Sequence, residues 1–229
     1  MIEAQVRAYR YERKFLVEGL DAGQVHMLVE RHPCMFFQPY PPRYVNNLYL
    51  DTEAMDNYYA NVAGLADRHK VRIRWYGEHL DRISKPVLEL KVKNGLVGTK
   101  YTYPFPEFGF DGGLDHREFQ GVVSRSNLPV DVRSYLRSLH VVLCNRYYRW
   151  YYASKDGRFR VTVDTGMEYY RVKKYGNRFI SRFSDWFHQV LELKYDRVLD
   201  PQADRVAGFF PFSVTRNSKY VTGIENVYY

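Results

Sequence analysis

Val87-Leu-Glu-Leu-Lys91 and Val190-Leu-Glu-Leu-Lys194 are the same pentapeptide, placed in the two halves of a 229-residue chain. A third Glu-x-Lys stands near the N-terminus, at Glu12-Arg13-Lys14. Side chains alternate across a strand, so each copy puts its Glu and Lys on one face and its leucines on the other. The flanking sequence extends the pattern. RYERKFLV aligns Arg10, Glu12 and Lys14, and KVRIRWYG aligns Arg72 and Arg74 against Val71, Ile73 and Trp75. VLELKVK aligns Glu89, Lys91 and Lys93; RFRVTVDT aligns Arg160, Thr162 and Asp164; the second VLELK aligns Glu192 and Lys194.

Such faces have two possible destinations. Half of any antiparallel sheet can meet solvent, and one charged strand by itself says no more than that. Five strands that repeat Arg or Lys with Glu at fixed spacing favour the other arrangement. There the sheet closes, its apolar face is covered by helices and its charged face turns inward. Further strands are expected at Tyr44–Asp51, Val97–Phe105, Val142–Tyr152 and Glu168–Val172. Helices are expected at Asp21–Arg31, Thr52–Val62, Pro129–Leu139, Pro201–Ala207 and Ser218–Val227, with Asp21 and Thr52 as N-caps. SKDGR at 154–158 has the Asp-Gly signature of a hairpin, Gly95 reads as another turn, and Glu107–Glu118 reads as a turn-rich connection around Asp111–Gly113. The predicted fold is α+β: an antiparallel barrel with a charged interior and helices on the outside, formed by residues 1–229 as one domain.

Composition agrees. The chain is 45% hydrophobic and carries 22 tyrosines, an aromatic richness that suits strands. A net charge of +8 points to an anionic partner. Two widely spaced cysteines, Cys34 and Cys144, suggest neither a zinc site nor a disulfide framework. No apolar run approaches the ~20 residues of a membrane span, and the N-terminus is too polar for a signal peptide; a soluble, cytoplasmic protein is expected.

A basic interior defines a chemistry. Arg10, Lys14, Arg72, Arg74, Lys91, Lys93, Arg160 and Lys194 outnumber Glu12, Glu89, Asp164 and Glu192. Like charges crowded at low dielectric repel, and a bound polyanion would relieve them. Arg grips phosphate oxygens in a planar fork and Lys adds point charge. The carboxylates can hold a divalent cation that bridges phosphates, which is the equipment of phosphoryl transfer. Other motifs carry less. NGLVGTK (94–100) lacks the spacing of a phosphate-binding P-loop and leads into a strand. RYYRWYY (146–152) could stack bases or pack under helices, and packing is the expectation for Tyr147 and Tyr151; an aromatic near the mouth of the barrel could hold adenine. The seven histidines show no metal-ligand spacing.

The pieces RYERKFLV, VNNLYLDT, KVRIRWYG, VLELKVKNGLVGTK, NRYYR, RVTVDT, VLELKYD and SKYVTGIE, in that order from Arg10 to Glu225, resemble the vacuolar transporter chaperone (VTC) catalytic domain. That family is a branch of the CYTH-like, or triphosphate tunnel, metalloenzymes. The resemblance implies an antiparallel barrel forming a tunnel, in which the γ-phosphate of ATP is transferred to a growing inorganic polyphosphate chain with Mn²⁺ or Mg²⁺. It implies that Lys14, Arg72, Arg74, Lys91, Arg160 and Lys219 act on the transferring phosphate. Arg10, Lys93, Lys100, Arg146, Lys194, Arg216 and Ser218 would bind the rest of the substrate. Glu192 would lead the metal ligands, followed by Glu12 and Glu89. Hydrolytic relatives begin ExExK, whereas this chain has Arg10 at the first position, which favours a more basic path. A separate subunit would supply any membrane coupling, and no specific nucleic-acid partner is expected. The alternatives are a tripolyphosphatase or nucleoside triphosphatase on the same scaffold, and a non-catalytic module binding polyphosphate or inositol phosphates.

Overall fold

The structure is a computed structural model that describes residues 5–7, 11–77, 82–94, 97–110, 115–176 and 181–229. Expectations for Arg10, the Gly95 turn and Asp111–Gly113 lie outside these residues. In chain order the elements are β1 (Gln5–Arg7), β2 (Tyr11–Val17), α1 (Ala22–Glu30), β3 (Arg43–Asp51) and α2 (Asp56–Val62). Then come β4 (Arg68–Tyr76), β5 (Arg82–Ile83), β6 (Val87–Asn94), β7 (Val97–Pro104) and β8 (Phe108–Gly109). They are followed by α3 (His116–Arg125), α4 (Val130–Arg137), β9 (His140–Ala153), β10 (Phe159–Arg171), β11 (Arg182–Asp185), β12 (Gln189–Tyr195), α5 (Asp200–Gly208) and α6 (Lys219–Tyr228).

One antiparallel sheet runs β1-β7-β6-β4-β3-β9-β10-β12-β2, with β11 added to β10. Its two edges, β1 and β2, are successive pieces of the N-terminal segment. The register sorts the faces. Lys14 lies opposite Glu192, Glu192 opposite Thr162, and Asp164 opposite Arg149. Farther round, Asn47 lies opposite Arg74, Arg72 opposite Glu89, and Lys91 opposite Lys100. The paired positions just named therefore share one face.

That face is the inside of a curled sheet. β4 and β2 are five ladder steps apart, which would be ~24 Å on a flat sheet. Yet Lys70 on β4 donates to Ser218 Oγ at 2.8 Å while Lys14 on β2 donates to the neighbouring carbonyl of Asn217 at 3.2 Å. Only a half-barrel with the charges inside brings both to adjacent residues. The predicted arrangement is thus observed.

The apolar face is buried in two layers. Leu48, Ile73, Trp75 and Leu88 pack with Phe119, Val122, Val123 and Leu136 of α3 and α4. Phe15, Val161, Leu191 and Leu193 pack with Val25 and Val29 of α1 and Ala203 and Val206 of α5. A third cluster lies on the inner face. Tyr220, Ile224 and Val227 of α6 sit on Val45, Tyr49, Leu143, Tyr147 and Tyr169, with Tyr58 of α2 alongside. So α1, α3, α4 and α5 cover the outside, while α6 seats in the concave side.

Asp51 ties these pieces together. Its buried carboxylate accepts the backbone N–H groups of Asn57 and Tyr58 at 2.9 Å each and the Tyr220 hydroxyl. Thr52, expected as the N-cap, lies one turn before α2, which begins at Asp56; its hydroxyl accepts the Asp56 N–H at 3.1 Å, and Asp51 accepts the next two. Asp21 caps α1 with the reciprocal Gln24 bond, as expected. The strands expected at Arg158–Thr165 and Glu168–Val172 are one strand, β10, whose register shifts between Thr165 and Glu168. Gly166 supplies the positive φ of 56° there. α3 was not expected, since the turn residues before it dominate the reading. Its Asp115/Glu118 capping box and its Phe119, Val122 and Val123 stripe account for it.

α6 approaches the sheet at Gly223, where a Cβ would come within 2.5 Å of Leu143 and 2.6 Å of Tyr169. Gly223→Val should destabilise the protein by roughly 1–3 kcal/mol through overpacking. Gly208→Ala, which meets nothing within 4 Å, should be neutral or slightly stabilising. Urea denaturation of both variants checks this.

Candidate functional site

The inner face holds three charge clusters. In the first, on β4, β6 and β7, Glu89 accepts from Arg72 Nε at 2.6 Å and from Lys100, with Arg74 at 3.8 Å. Arg74 also donates to Asn47 at 2.9 Å. Burial would raise the Glu89 carboxyl, but Arg72, Arg74 and Lys100 hold it well below the usual range.

In the second, Asp164 on β10 receives a two-pronged bond from Arg149 at 2.5 and 2.7 Å and an ion pair from Lys219 at 2.5 Å. Asp164 is 0% exposed. Lys219 is the first residue of α6, so this carboxylate fixes the helix start against the sheet. The third lies on β2 and β12. Lys14 stands 3.4 Å from both Glu12 and Glu192, and Glu192 pairs with Lys194 at 2.7 Å and Arg149 at 3.7 Å. Burial opposes ionisation of Glu192, yet Lys194, Lys14, Lys219 and Arg149 keep its carboxyl well below the ordinary range. The Thr162 hydroxyl on the adjoining strand is buried without a hydrogen-bond partner among the described residues.

Between the clusters stand Lys70 and Lys91, neither in an ion pair among the described residues. Burial first, then the neighbouring cations Lys14, Lys91, Arg72 and Arg68, pushes Lys70 down to about 7. Burial and the charges of Arg72 and Lys14 push Lys91 down to about 8, against the opposing pull of Glu12 and Glu192. The two VLELK copies thus face one another across the interior: Lys91 from the first feels Glu192 from the second. An interior of this kind attracts an oxyanion with several negative charges.

The VTC domain matches residues 9–228. The chain belongs to this family. Comparison with curated proteins gives no match. Among solved structures, the VTC domain is similar to an adenylate cyclase candidate from Bacillus halodurans, with 12% identity and a TM-score of 0.54 over 92% of this chain and 94% of that one. It is also similar to an adenylyl cyclase candidate from Hippeastrum described by a dominant triphosphatase activity, with 17% identity and a TM-score of 0.52 over 95% and 96%. A third, from Vibrio parahaemolyticus, has 11% identity and a TM-score of 0.51 over 94% and 98%. These likenesses show that the chain shares their fold.

The structure gathers most of the residues singled out in the sequence. Lys14, Arg72, Arg74, Lys91, Lys100, Lys194, Lys219, Glu12, Glu89 and Glu192 lie on the inner face or project into it. Lys93 continues the Lys91 row opposite Arg68. Arg160 lies opposite Lys194 at the exposed end of β10, and Ser218 caps α6 while accepting from Lys70. Arg216 is exposed. Arg146 is a correction. It lies on the outer face, its guanidinium 3.8 Å above the Tyr44 ring, and Arg149 takes the interior place. Residues three apart on a strand face opposite ways. Lys70 and Arg149 were missed. Lys70 shares the alternation of Arg72 and Arg74, and counting back from the Asp156-Gly157 turn pairs Arg149 with Asp164.

A divalent cation would fit the carboxylates of this VTC domain in one place. Glu12 and Glu192 share Lys14, and the charge of each weighs on the other. A hard cation between them would relieve that repulsion, its shell completed by phosphate oxygens and water as Mg²⁺ favours. No group of three His, Cys, Asp or Glu among the described residues forms a closed cage. Glu89 fits less well, because Arg72 and Lys100 close on both its oxygens at hydrogen-bond distance, whereas Lys14 stands 3.4 Å from Oε1 of Glu192.

Asp164→Ala should cost about 3–5 kcal/mol of stability, since it leaves the buried cations Arg149 and Lys219 uncompensated. Asp204→Ala, which removes a 77%-exposed partner of Arg13, should change the urea midpoint little.

Proposed function

We propose that this VTC domain transfers the γ-phosphate of a nucleoside triphosphate to inorganic polyphosphate inside the half-barrel. One observation carries the reading: Lys70 and Lys91 stand half-buried on the inner face among other cations, neither in an ion pair among the described residues, and burial together with those cations lowers both. A chain of phosphates supplies the negative charge that such a row lacks.

In this reading the guanidinium groups of Arg72, Arg74 and Arg149 grip phosphate oxygens, and their bonds to Glu89, Asn47 and Asp164 hold them in position beforehand. Lys14, Lys70, Lys91 and Lys100 stabilise charge on the transferring phosphoryl, with Arg160 and Lys194 toward the exposed end. Glu12 and Glu192 would hold Mn²⁺ or Mg²⁺, which when bound would neutralise phosphate charge. No covalent nucleophile is needed. Lys219, expected to act on the transferring phosphate, is paired with Asp164 and in this reading positions α6 instead. Arg216 and Lys93 remain the candidates for contact with an outgoing chain.

A second reading, hydrolysis of tripolyphosphate or a nucleoside triphosphate, uses the same cations with water as acceptor. The triphosphatase activity described for the Hippeastrum protein favours it. Incubation with ATP and Mn²⁺ separates the two: polyphosphate accumulates in the first case and orthophosphate in the second. Binding without turnover would leave a phosphate-binding module. Glu192→Gln should lower turnover at least ~100-fold, the scale on which one electrostatic contact acts in catalysis. Tripolyphosphate affinity should be kept or increased, because an anion is removed. Unchanged turnover would take Glu192 out of the mechanism.

Proton linkage gives an independent check. A bound polyanion favours the ammonium forms of Lys70 and Lys91, whose free-state values are about 7 and about 8. Binding must then take up protons above pH ~7, and tripolyphosphate affinity must fall as pH rises from ~7 to ~10. Calorimetry in buffers of different ionisation enthalpy reads the uptake directly.

A further inference from the structure

We propose that Tyr76, Arg43 and Tyr151 form a stacking platform for the nucleobase of the donor, at the mouth of the half-barrel. The inference rests on the reading above and adds the part of the donor that the cation clusters do not address.

The three residues continue the inner face. Tyr76 follows Arg74 by two positions on β4, and Tyr151 follows Arg149 by two on β9, so each lies one ladder repeat of about 6.7 Å farther out along its strand. Arg43, the first residue of β3, lies opposite Arg149. Two strands thus carry a phosphate-gripping arginine followed by an aromatic on the same side.

Their geometry is that of a partly built stack. The Arg43 guanidinium lies 3.9 Å above the Tyr76 ring and 5.3 Å from the Tyr151 ring, and its Nε donates to the Tyr151 hydroxyl at 3.2 Å. Tyr40 meets Tyr151 edge-on at 6.4 Å. Tyr40 is 66% exposed and Tyr76 43% exposed, so these rings face water at an opening and are not core packing. A planar, delocalised cation set among exposed aromatic rings gives a surface on which a further flat π-system can stack. A base laid on Arg43 extends the Tyr76–Arg43 stack by one layer, and a single ribose bridges from there to phosphates held by Arg74 and Arg149. Stacking is tolerant of base identity because every base has a π-face. The platform should therefore accept ATP and GTP about equally.

The test compares ATP with methyl triphosphate, which has the same esterified triphosphate without sugar or base, by calorimetric titration of the full chain. Wild-type protein should bind ATP more tightly. Tyr76→Ala with Tyr151→Ala should weaken ATP binding by about 5- to 30-fold, the scale of one stacked base. Methyl triphosphate affinity should stay within about twofold. Tyr76→Phe with Tyr151→Phe, which keeps the rings, should retain the preference and shows that the loss belongs to the aromatic faces. Equal binding of both compounds by wild type, or a preference that survives the double alanine variant, overturns the platform alone. Failure of wild type to bind either compound overturns the triphosphate reading and the platform with it.

Discussion

Positive charge held indoors is the constraint on which this molecule is built. Ammonium and guanidinium groups resist leaving water, and the cost grows when they are crowded. The fold meets it in two ways. Glu89, Asp164 and Glu192 each neutralise several cations at once, and strong short bonds fix those arginines in place. The remaining cations, Lys70 and Lys91 above all, are left under-compensated. That division distinguishes scaffold from working surface. Arg149, Asp164 and Lys219 belong to the architecture as much as to any chemistry, because they join the sheet to α6.

α6 shows how the interior is partitioned. Its first residue enters the charged zone, while Tyr220, Ile224 and Val227 fill the concave side beside Tyr49 and Tyr169 with apolar contacts. One helix therefore borders the charged inner face and supplies a side chain to it. Asp51 holds the helix from the other direction through Tyr220 and binds α2 in the same carboxylate. Burial of that carboxylate is tolerable because backbone N–H groups and a hydroxyl satisfy it.

Much of this was legible in the residues. Strict alternation in VLELK, KVRIR and RVTVD assigns Glu89, Arg72, Arg74, Asp164 and Glu192 to one face, and a sheet has only two faces to offer. Strand boundaries followed the same pattern. What escaped was information that lies between strands. RYYRWYY is aromatic on both sides, so its own composition does not say whether Arg146 or Arg149 turns inward; only the register across the Asp156-Gly157 hairpin decides. The carboxylates look equivalent in sequence, yet Glu89 is bonded at both oxygens by Arg72 and Lys100, whereas Glu12 and Glu192 have Lys14 between them at 3.4 Å from each. α3 was hidden because a run of turn residues precedes its cap. The seating of α6 depends on Gly223, whose lack of a side chain matters only once Leu143 and Tyr169 are beside it.

The two edges of the sheet come from adjoining pieces of the N-terminal segment, and this has a consequence for how the protein assembles. β1 pairs with β7 near the middle of the chain, whereas β2 pairs with β12, the last strand in chain order among the described residues, so β2 meets its partner only after nearly all the sheet sequence has followed it. Loop closure over such sequence separations is entropically costly, and topologies rich in non-local pairing fold slowly. A nascent chain must keep an apolar ribbon, Phe15 to Val17, out of wrong pairings until Leu191 and Val190 emerge. The alternating charges of Glu12, Arg13 and Lys14 beside that ribbon are well placed to guard it during the wait.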